Sequence, residues 1–185
     1  MTMSDNVLAQ DAGVASDVYG MSDNTNLFQR VMSMREGGRE RSLRELPSDD
    51  DPTMTLFQTV RPNIVQSIRA FRVADLADEA ARLGHHFLYA WCANAGSKAE
   101  VLERIATEFT FPKQYGKNYD ALYDCLTDVI AKAGTQPGFV IVLEGVPIGI
   151  KFDKDARETM LDVFREAAEF WAERKIAFRV FYSFA

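Results

Sequence analysis

Hydrophobic positions change their spacing several times after residue 64, and the order of the changes predicts strands that alternate with helices. The stretch 64–71, IVQSIRAF, predicts a strand. The stretch 73–84, VADLADEAARLG, has apolar residues at helical spacing and ends in Gly84, a residue suited to end a helix. The aromatic and apolar stretch 86–92, HFLYAWC, predicts a buried strand.

The second half of the chain continues this alternation. At 97–109, Ser97 and Glu100 have the spacing of a capping box, which predicts the start of a helix. The elements that follow are a helix after Asn118, an apolar strand at 138–145, a long helix at 153–175 capped by Asp153, and a last strand at 176–184. Strands separated by helical crossovers favour a mainly parallel sheet covered by helices, so the predicted fold class is α/β.

The first 55 residues differ from the rest of the chain. They are rich in Ser, Asp, Asn and Arg, and their apolar residues offer only one weak amphipathic segment. Too little apolar surface is present to offset the entropy of ordering, so we predict a mobile polar extension over 1–55 and one α/β domain over 56–185. The tetrapeptide MSDN occurs at 3 and at 21, which indicates either a start of translation at Met21 or a chance duplication.

Composition narrows the class of protein. The chain is 47% hydrophobic and 26% charged, as in soluble globular proteins, and it has neither a membrane-spanning apolar run nor a secretory signal, so we expect a cytoplasmic protein. Its net charge of -6 argues mildly against a nucleic acid or a membrane as partner. Two cysteines cannot build a disulfide framework.

Three aspartates, Asp120, Asp124 and Asp128, lie four residues apart on the helix after Asn118. The opposite side of this helix, which should face the core, consists of Leu122, Cys125, Leu126 and Val129. Like charges at this spacing cost about a few tenths of a kcal/mol per pair, so stability does not explain the stripe. Two interpretations stay open, an ordinary solvated face or a surface that binds a cationic partner, and the neighbouring Tyr115 favours the second.

The stretch 115–129, YGKNYDALYDCLTDV, with FP at 111–112 and LDVFREA at 161–167, resembles the barstar family of intracellular inhibitors of barnase-type ribonucleases. The likeness extends from about residue 87 to the C-terminus, while 64–86 adds a strand and a helix outside it. The resemblance implies a protein that plugs a ribonuclease active site with a loop and an acidic helix. In this scheme carboxylates take the places of substrate phosphates.

The resemblance also implies a role for individual residues. Asp124 would be the central anion, Asp120 its companion near the helix start, and Glu166 an acidic contact from the adjacent helix. Tyr123 stands where the family often has tryptophan. The complete predicted partner-binding set is Gln114, Tyr115, Gly116, Asn118, Asp120, Tyr123, Asp124, Thr127, Asp128 and Glu166.

Several positions depart from the family pattern. Gln114 replaces an aromatic residue of the best-known member, Lys113 and Lys117 replace glutamates, and Asp128 replaces a glycine. We therefore expect as partner a basic ribonuclease, barnase-like or another toxin. The alternative is a barstar-fold interaction or regulatory module whose partner is not a ribonuclease, because a fold does not fix a partner. The sequence does not predict the oligomeric state.

Other classes of function are less favoured. His85 and His86 precede a predicted strand that Cys92 ends, but no third ligand stands at a recognisable spacing, so polar loop residues are the better interpretation. The arginines between 30 and 44 are mixed with acidic residues and indicate a solvated linker. Glu144 either approaches the acidic face from the end of its strand or accepts a hydrogen bond in a turn, and the second is favoured. We predict no enzyme activity, metal or other cofactor.

Overall fold

Four parallel strands form one sheet, as the alternation of strands and helices predicts. The structure is a computed structural model that describes residues 56–69, 71–129 and 136–185. Its elements in chain order are α1 Leu56–Thr59, β1 Ile64–Ser67, α2 Val73–Arg82, β2 His86–Trp91, α3 Lys98–Glu108, α4 Tyr119–Asp124, a π-helical turn Cys125–Val129, β3 Gly138–Val146, α5 Lys154–Glu173 and β4 Ala177–Phe184. The predicted α/β class is confirmed.

The strand order across the sheet is β1-β4-β3-β2, so β3 and β4 are the inner strands. Eight of the nine residues of β3 are buried. Because β3 has a strand on each side and helices over both faces, its sequence is a continuous apolar run and does not alternate. Phe139 of β3 pairs with His86 on one side and with Phe178 on the other, which fixes the register of three strands.

One face of the sheet is covered by α3, α4 and α5. The buried side chains of these helices, which pack on β3 and β4, include Val101, Leu102, Ile105, Leu122, Leu126, Phe164 and Trp171. The predicted core side of the helix after Asn118 is therefore confirmed for Leu122, Cys125 and Leu126, and the side chain of Val129 lies outside the described part of the structure.

The predicted helix ends are present. Ser97 accepts a hydrogen bond from the amide of Glu100 (3.4 Å), and the Glu100 carboxylate accepts one from the amide of Gly96 (2.7 Å). Asp153 caps α5 by accepting a hydrogen bond from the amide of Ala156 (2.8 Å). Gly84 follows α2 with φ of 65°, a conformation that glycine adopts without strain.

The opposite face of the sheet is covered by α1 and α2. Phe57, Leu76 and Ala80 pack there on β-strand residues that include Val142 and Phe181. β1 pairs with β4 along Ile64–Ser67 and so adds a fourth strand at the edge. The N-terminal strand-helix unit thus widens the sheet and covers one of its faces.

Local details differ from the sequence predictions. β1 ends at Ser67, four residues before the predicted end, because the chain turns after it. In this turn the amide of Phe71 donates a hydrogen bond to the carbonyl of Ile68 (2.7 Å). The four-residue α1 was not predicted, since one turn carries no periodic signal. The predicted extension 1–55 lies outside the described residues. No described helix combines the length and the apolar character needed to cross a membrane.

We predict that Leu76→Ala lowers the free energy of unfolding by roughly 2–5 kcal/mol, because the Leu76 side chain is fully buried between α2 and the sheet. Urea unfolding of the full chain measures the effect. The matched control is Asp78→Ala on the exposed side of the same helix, which should change stability by less than about 0.5 kcal/mol. An unchanged urea midpoint for Leu76→Ala would show that α2 is not part of the cooperative fold.

Candidate partner-binding face

The loop before α4 is anchored by an aromatic pair. The rings of Phe111 and Tyr115 lie 5.3 Å apart, and the amide of Tyr115 donates to the carbonyl of Pro112 (2.9 Å). The Tyr115 hydroxyl is buried and has no hydrogen-bond partner within the described ranges, and burial raises the pKa of this phenol. Tyr115 therefore holds the loop on the core, and only part of its ring is available to a partner.

The turn into α4 is made by Lys117 and Asn118. Asn118 has extended backbone angles, and its side-chain oxygen accepts a hydrogen bond from the amide of Ala121 (2.7 Å), which confirms it as the N-cap. Of these two residues, Lys117 adopts the left-handed region, with φ of 48°. The Lys117 ammonium lies 3.0 Å from the carboxylate of Glu103 on α3, so its positive charge is paired.

The helix that carries the aspartates is not regular. After one and a half turns of α4 it widens into a π-helical turn over Cys125–Val129. The Thr127 hydroxyl donates to the carbonyl of Tyr123 (2.8 Å), and the indole of Trp171 on α5 donates to the carbonyl of Leu126 (3.1 Å). Side chains thus satisfy carbonyls that a regular helix would use, and such turns are frequent at functional sites.

Three carboxylates of this region are exposed and unpaired. Within the residues that the structure describes, Asp120, Asp124 and Glu166 are solvent-exposed and take part in no hydrogen bond or ion pair of their side chains. By contrast, the exposed Asp162 on α5 is paired with Arg165. Unpaired carboxylates keep their full charge available to an external cation.

Two hydrogen bonds place α4 beside α5. The Tyr119 hydroxyl donates to the carbonyl of Ala156 near the start of α5 (2.7 Å), and Trp171 near its end reaches Leu126. Asp124 on one helix and Glu166 on the other both lie between these two connections. We call the exposed side of this helix pair, with Asp120, Asp124 and Glu166, the acidic face.

The predicted partner-binding residues differ in their exposure. The exposed members are Gln114, Gly116, Asn118, Asp120, Asp124, Asp128 and Glu166, and the half-buried members are Tyr115 and Tyr123. Thr127 is 8% exposed, and its hydroxyl is used within its own helix. Thr127 therefore supports the π-helical turn and is the member least available to a partner.

Sequence reasoning missed a cation beside this face. The ammonium of Lys98 at the start of α3 lies 3.7 Å from the ring centre of Tyr119, a cation–π contact. Because α3 and α4 are separated by a ten-residue loop, no local spacing connects these two residues.

The residues considered for catalysis have structural surroundings. The Cys92 thiol is buried, and burial raises its pKa to about 12, so it is protonated at neutral pH. His86 packs edge-on against Phe139. Glu144 accepts a hydrogen bond from the Tyr89 hydroxyl (2.7 Å), which agrees with the favoured role, although the donor is in a strand and not in a turn. Among the described residues, no group of His, Cys, Asp or Glu is arranged to hold a metal ion.

The fold and the acidic face together define an α/β domain that presents unpaired carboxylates on two adjacent helices. Residues 85–183 match the family model of barstar, the barnase inhibitor. The chain belongs to the barstar family, and the resemblance deduced from the sequence is confirmed. No curated protein matches the chain. The match begins at β2, so α1, β1 and α2 lie outside it.

We predict that Asn118→Ala lowers the free energy of unfolding by about 1 kcal/mol, because the amide of Ala121 loses its acceptor. The control is Asn118→Asp, which keeps an acceptor and adds a negative charge where the helix dipole favours it. Urea unfolding of both variants compares them. An equal loss of stability in the two variants would contradict the capping role.

Proposed function

We propose that the protein inhibits a ribonuclease by covering its basic active site with the acidic face and the loop before α4. Two observations support this function. The chain belongs to a family described as barnase inhibitors, and Asp120, Asp124 and Glu166 are exposed carboxylates with no partner in the described part of the chain. The second observation carries the proposal, because these charges are free for an external cation.

The chemistry of a ribonuclease active site explains why an acidic surface would bind to it. A ribonuclease binds a polyanion, so its active site must be lined by cationic groups. An acidic surface complementary to such a site gains association rate, since the two charge patterns attract each other before contact. It also gains specificity, because a surface without matching cations leaves the carboxylates desolvated and unpaired.

The individual residues would contribute unequally to binding. Asp124, in the middle of the helix pair, would be the central anion, with Asp120 and Glu166 around it. The half-buried rings of Tyr115 and Tyr123 would supply apolar contact area beside the charges. Their attachment to the core means that little side-chain entropy is lost on binding.

The target would not be identical to that of the best-known family member. Lys113 is exposed beside the loop, and Lys117 is engaged by Glu103, so the flank of the face is less acidic than the family pattern. We propose a partner with fewer cations at that flank, either a ribonuclease of another kind or another toxin. The protein would then be the protective half of a bacterial toxin–antitoxin pair in the cytoplasm.

We predict that Asp124→Ala weakens inhibition by at least about 2 kcal/mol, roughly thirtyfold, the range of interface hot spots that the barnase–barstar pair itself helped to define. The measurement is inhibition of a panel of bacterial ribonucleases by the full chain. The control is Asp78→Ala, which removes an equally exposed aspartate from α2 on the other face of the sheet. Inhibition that survives Asp124→Ala in a folded protein would overturn the proposed face.

The same panel tests the alternative function. If no ribonuclease is inhibited, a pull-down with the parent chain and with Asp124→Ala identifies a partner that depends on the acidic face. Such a partner would make the protein a barstar-fold interaction module and would reject the ribonuclease proposal.

We further predict that the association rate falls at least about tenfold between ~0.01 M and ~0.5 M salt, because added ions screen attraction between exposed charges. Stopped-flow mixing with the inhibited ribonuclease measures this rate. The double variant Asp120→Ala with Asp124→Ala should show a shallower dependence on salt. An association rate that does not respond to salt would contradict electrostatic steering.

A further inference from the structure

A second charged site lies at the amino edge of the sheet, where β2, β3 and β4 begin. An open pocket of about 670 Å³ lies there, between the start of the strands and the α1–α2 unit. Its apolar walls include Phe57, Leu83 and Ile176, and its basic residues are Arg82, His85, Lys175 and Arg179. None of the residues of the acidic face contributes to it.

Arg179 is the unusual member of this pocket. It is 6% exposed, and its Nε and Nη1 atoms have no hydrogen-bond partner among the residues that the structure describes. Its Nη2 atom makes one long hydrogen bond, to the carbonyl of Val60 (3.5 Å), and the guanidinium lies 4.6 Å from the ring centre of Phe57. Burial lowers the pKa of Arg179, yet a guanidinium stays charged at neutral pH. An unpaired buried cation is strongly unfavourable unless an anion accompanies it.

The Glu79 carboxylate offsets the charge of Arg179 only in part: it raises the pKa of that guanidinium, but burial, the larger effect, lowers it. Glu79 is engaged in two hydrogen bonds by the guanidinium of Arg82 (2.8 and 2.9 Å). Lys175 is exposed at the rim of the pocket and has φ of 59°. Burial lowers the pKa of His85, which leaves that ring neutral at pH 7. Among the described residues that line the pocket, Arg82, Lys175 and Arg179 are permanent cations, and none is an aspartate or a glutamate.

His85 adds a second unsatisfied group. Its Nδ1 atom is buried and has no partner in the described part of the chain. Its ring is held between Phe57 and the backbone of Gly138, where a Cβ would come within 2.8 Å of the ring. Two neighbouring pocket residues, one cationic and one neutral, thus have unused hydrogen-bonding atoms. A purely apolar ligand would leave both of them unsatisfied.

We propose that this pocket binds a small phosphorylated molecule, whose phosphate is held by Arg179 with Lys175 and His85. A phosphate accepts several charge-assisted hydrogen bonds from one guanidinium, and it is the anion that a planar guanidinium fork matches best after a carboxylate. Arg179 lines the pocket, and in the proposed complex its guanidinium would turn from the long hydrogen bond to Val60 toward the phosphate. Phe57, Leu83 and Ile176 provide apolar surface for the organic part.

The pocket is built partly from residues that lie outside the family match. Phe57 and Arg82 precede residue 85, where the match begins, while Arg179 lies within it. The pocket therefore exists only because α1 and α2 are added to the sheet. It lies on the sheet face opposite α4 and α5, since Arg179 alternates with Phe178 and Val180, which point to the other core.

Thermal unfolding and calorimetric titration of the full chain test the proposal, with inorganic phosphate and adenosine monophosphate as probes and chloride at matched ionic strength as reference. We expect phosphate to raise the melting temperature where chloride does not, and the monophosphate to bind more tightly than phosphate because it also covers the apolar wall. Arg179→Met should abolish the response. Lys175→Asn, an exposed change to a residue that tolerates the left-handed conformation, should weaken phosphate binding about tenfold.

The control variants separate this site from the acidic face. Lys113→Gln, which removes an exposed lysine elsewhere, and Asp124→Ala should respond to phosphate as the parent does. Equal stabilisation by phosphate and chloride in the parent would overturn the proposal. An undiminished phosphate response in Lys175→Asn and Arg179→Met together would also overturn it, and neither result bears on ribonuclease inhibition.

Discussion

The burial of β3 on both of its faces is the constraint on which the rest of the structure depends. A strand with eight buried residues out of nine needs a neighbouring strand on each side and a helical layer above and below. α3, α4 and α5 supply one layer, and α1 with α2 supply the other. The acidic face follows from the first layer, because α4 and the π-helical turn direct Leu122 and Leu126 inward and so leave Asp120 and Asp124 outward. The basic pocket follows from the second layer.

Much of the fold was predictable because its signals are local. Continuous apolar runs marked the strands, helical spacing marked the stripes, and Ser97, Asn118 and Asp153 marked three helix starts. The π-helical turn was not predicted, and its hydrogen bond from the indole of Trp171 to the carbonyl of Leu126 joins residues that are distant in sequence. The extra single turn α1 was also missed, since four residues show no period.

The candidate site likewise has some features that the sequence predicts and others that depend on the fold. That the helix after Asn118 carries an acidic stripe could be deduced from spacing alone. Which carboxylates stay unpaired could not, because pairing depends on which basic side chains the fold brings near. Lys117 illustrates the difference, since its charge is directed to Glu103 on α3 and not to the aspartates beside it in sequence. Similarly, Thr127 is in the predicted partner-binding set, but in the structure it is buried within the widened turn.

The net charge of -6 is a sum over the whole chain. It does not describe the local charge of the acidic face or of the basic pocket, because the sheet separates these two sites. Arg179 points to the face covered by α2, whereas Asp124 lies on the helix layer of the opposite face. At physiological ionic strength, exposed charges act over about 8 Å, so each cluster presents its own local field to a ligand. A cationic protein would be attracted to one face and a small anion to the amino edge of the sheet. The added α1–α2 unit can therefore give the chain a second site without weakening the acidic face that the family fold builds.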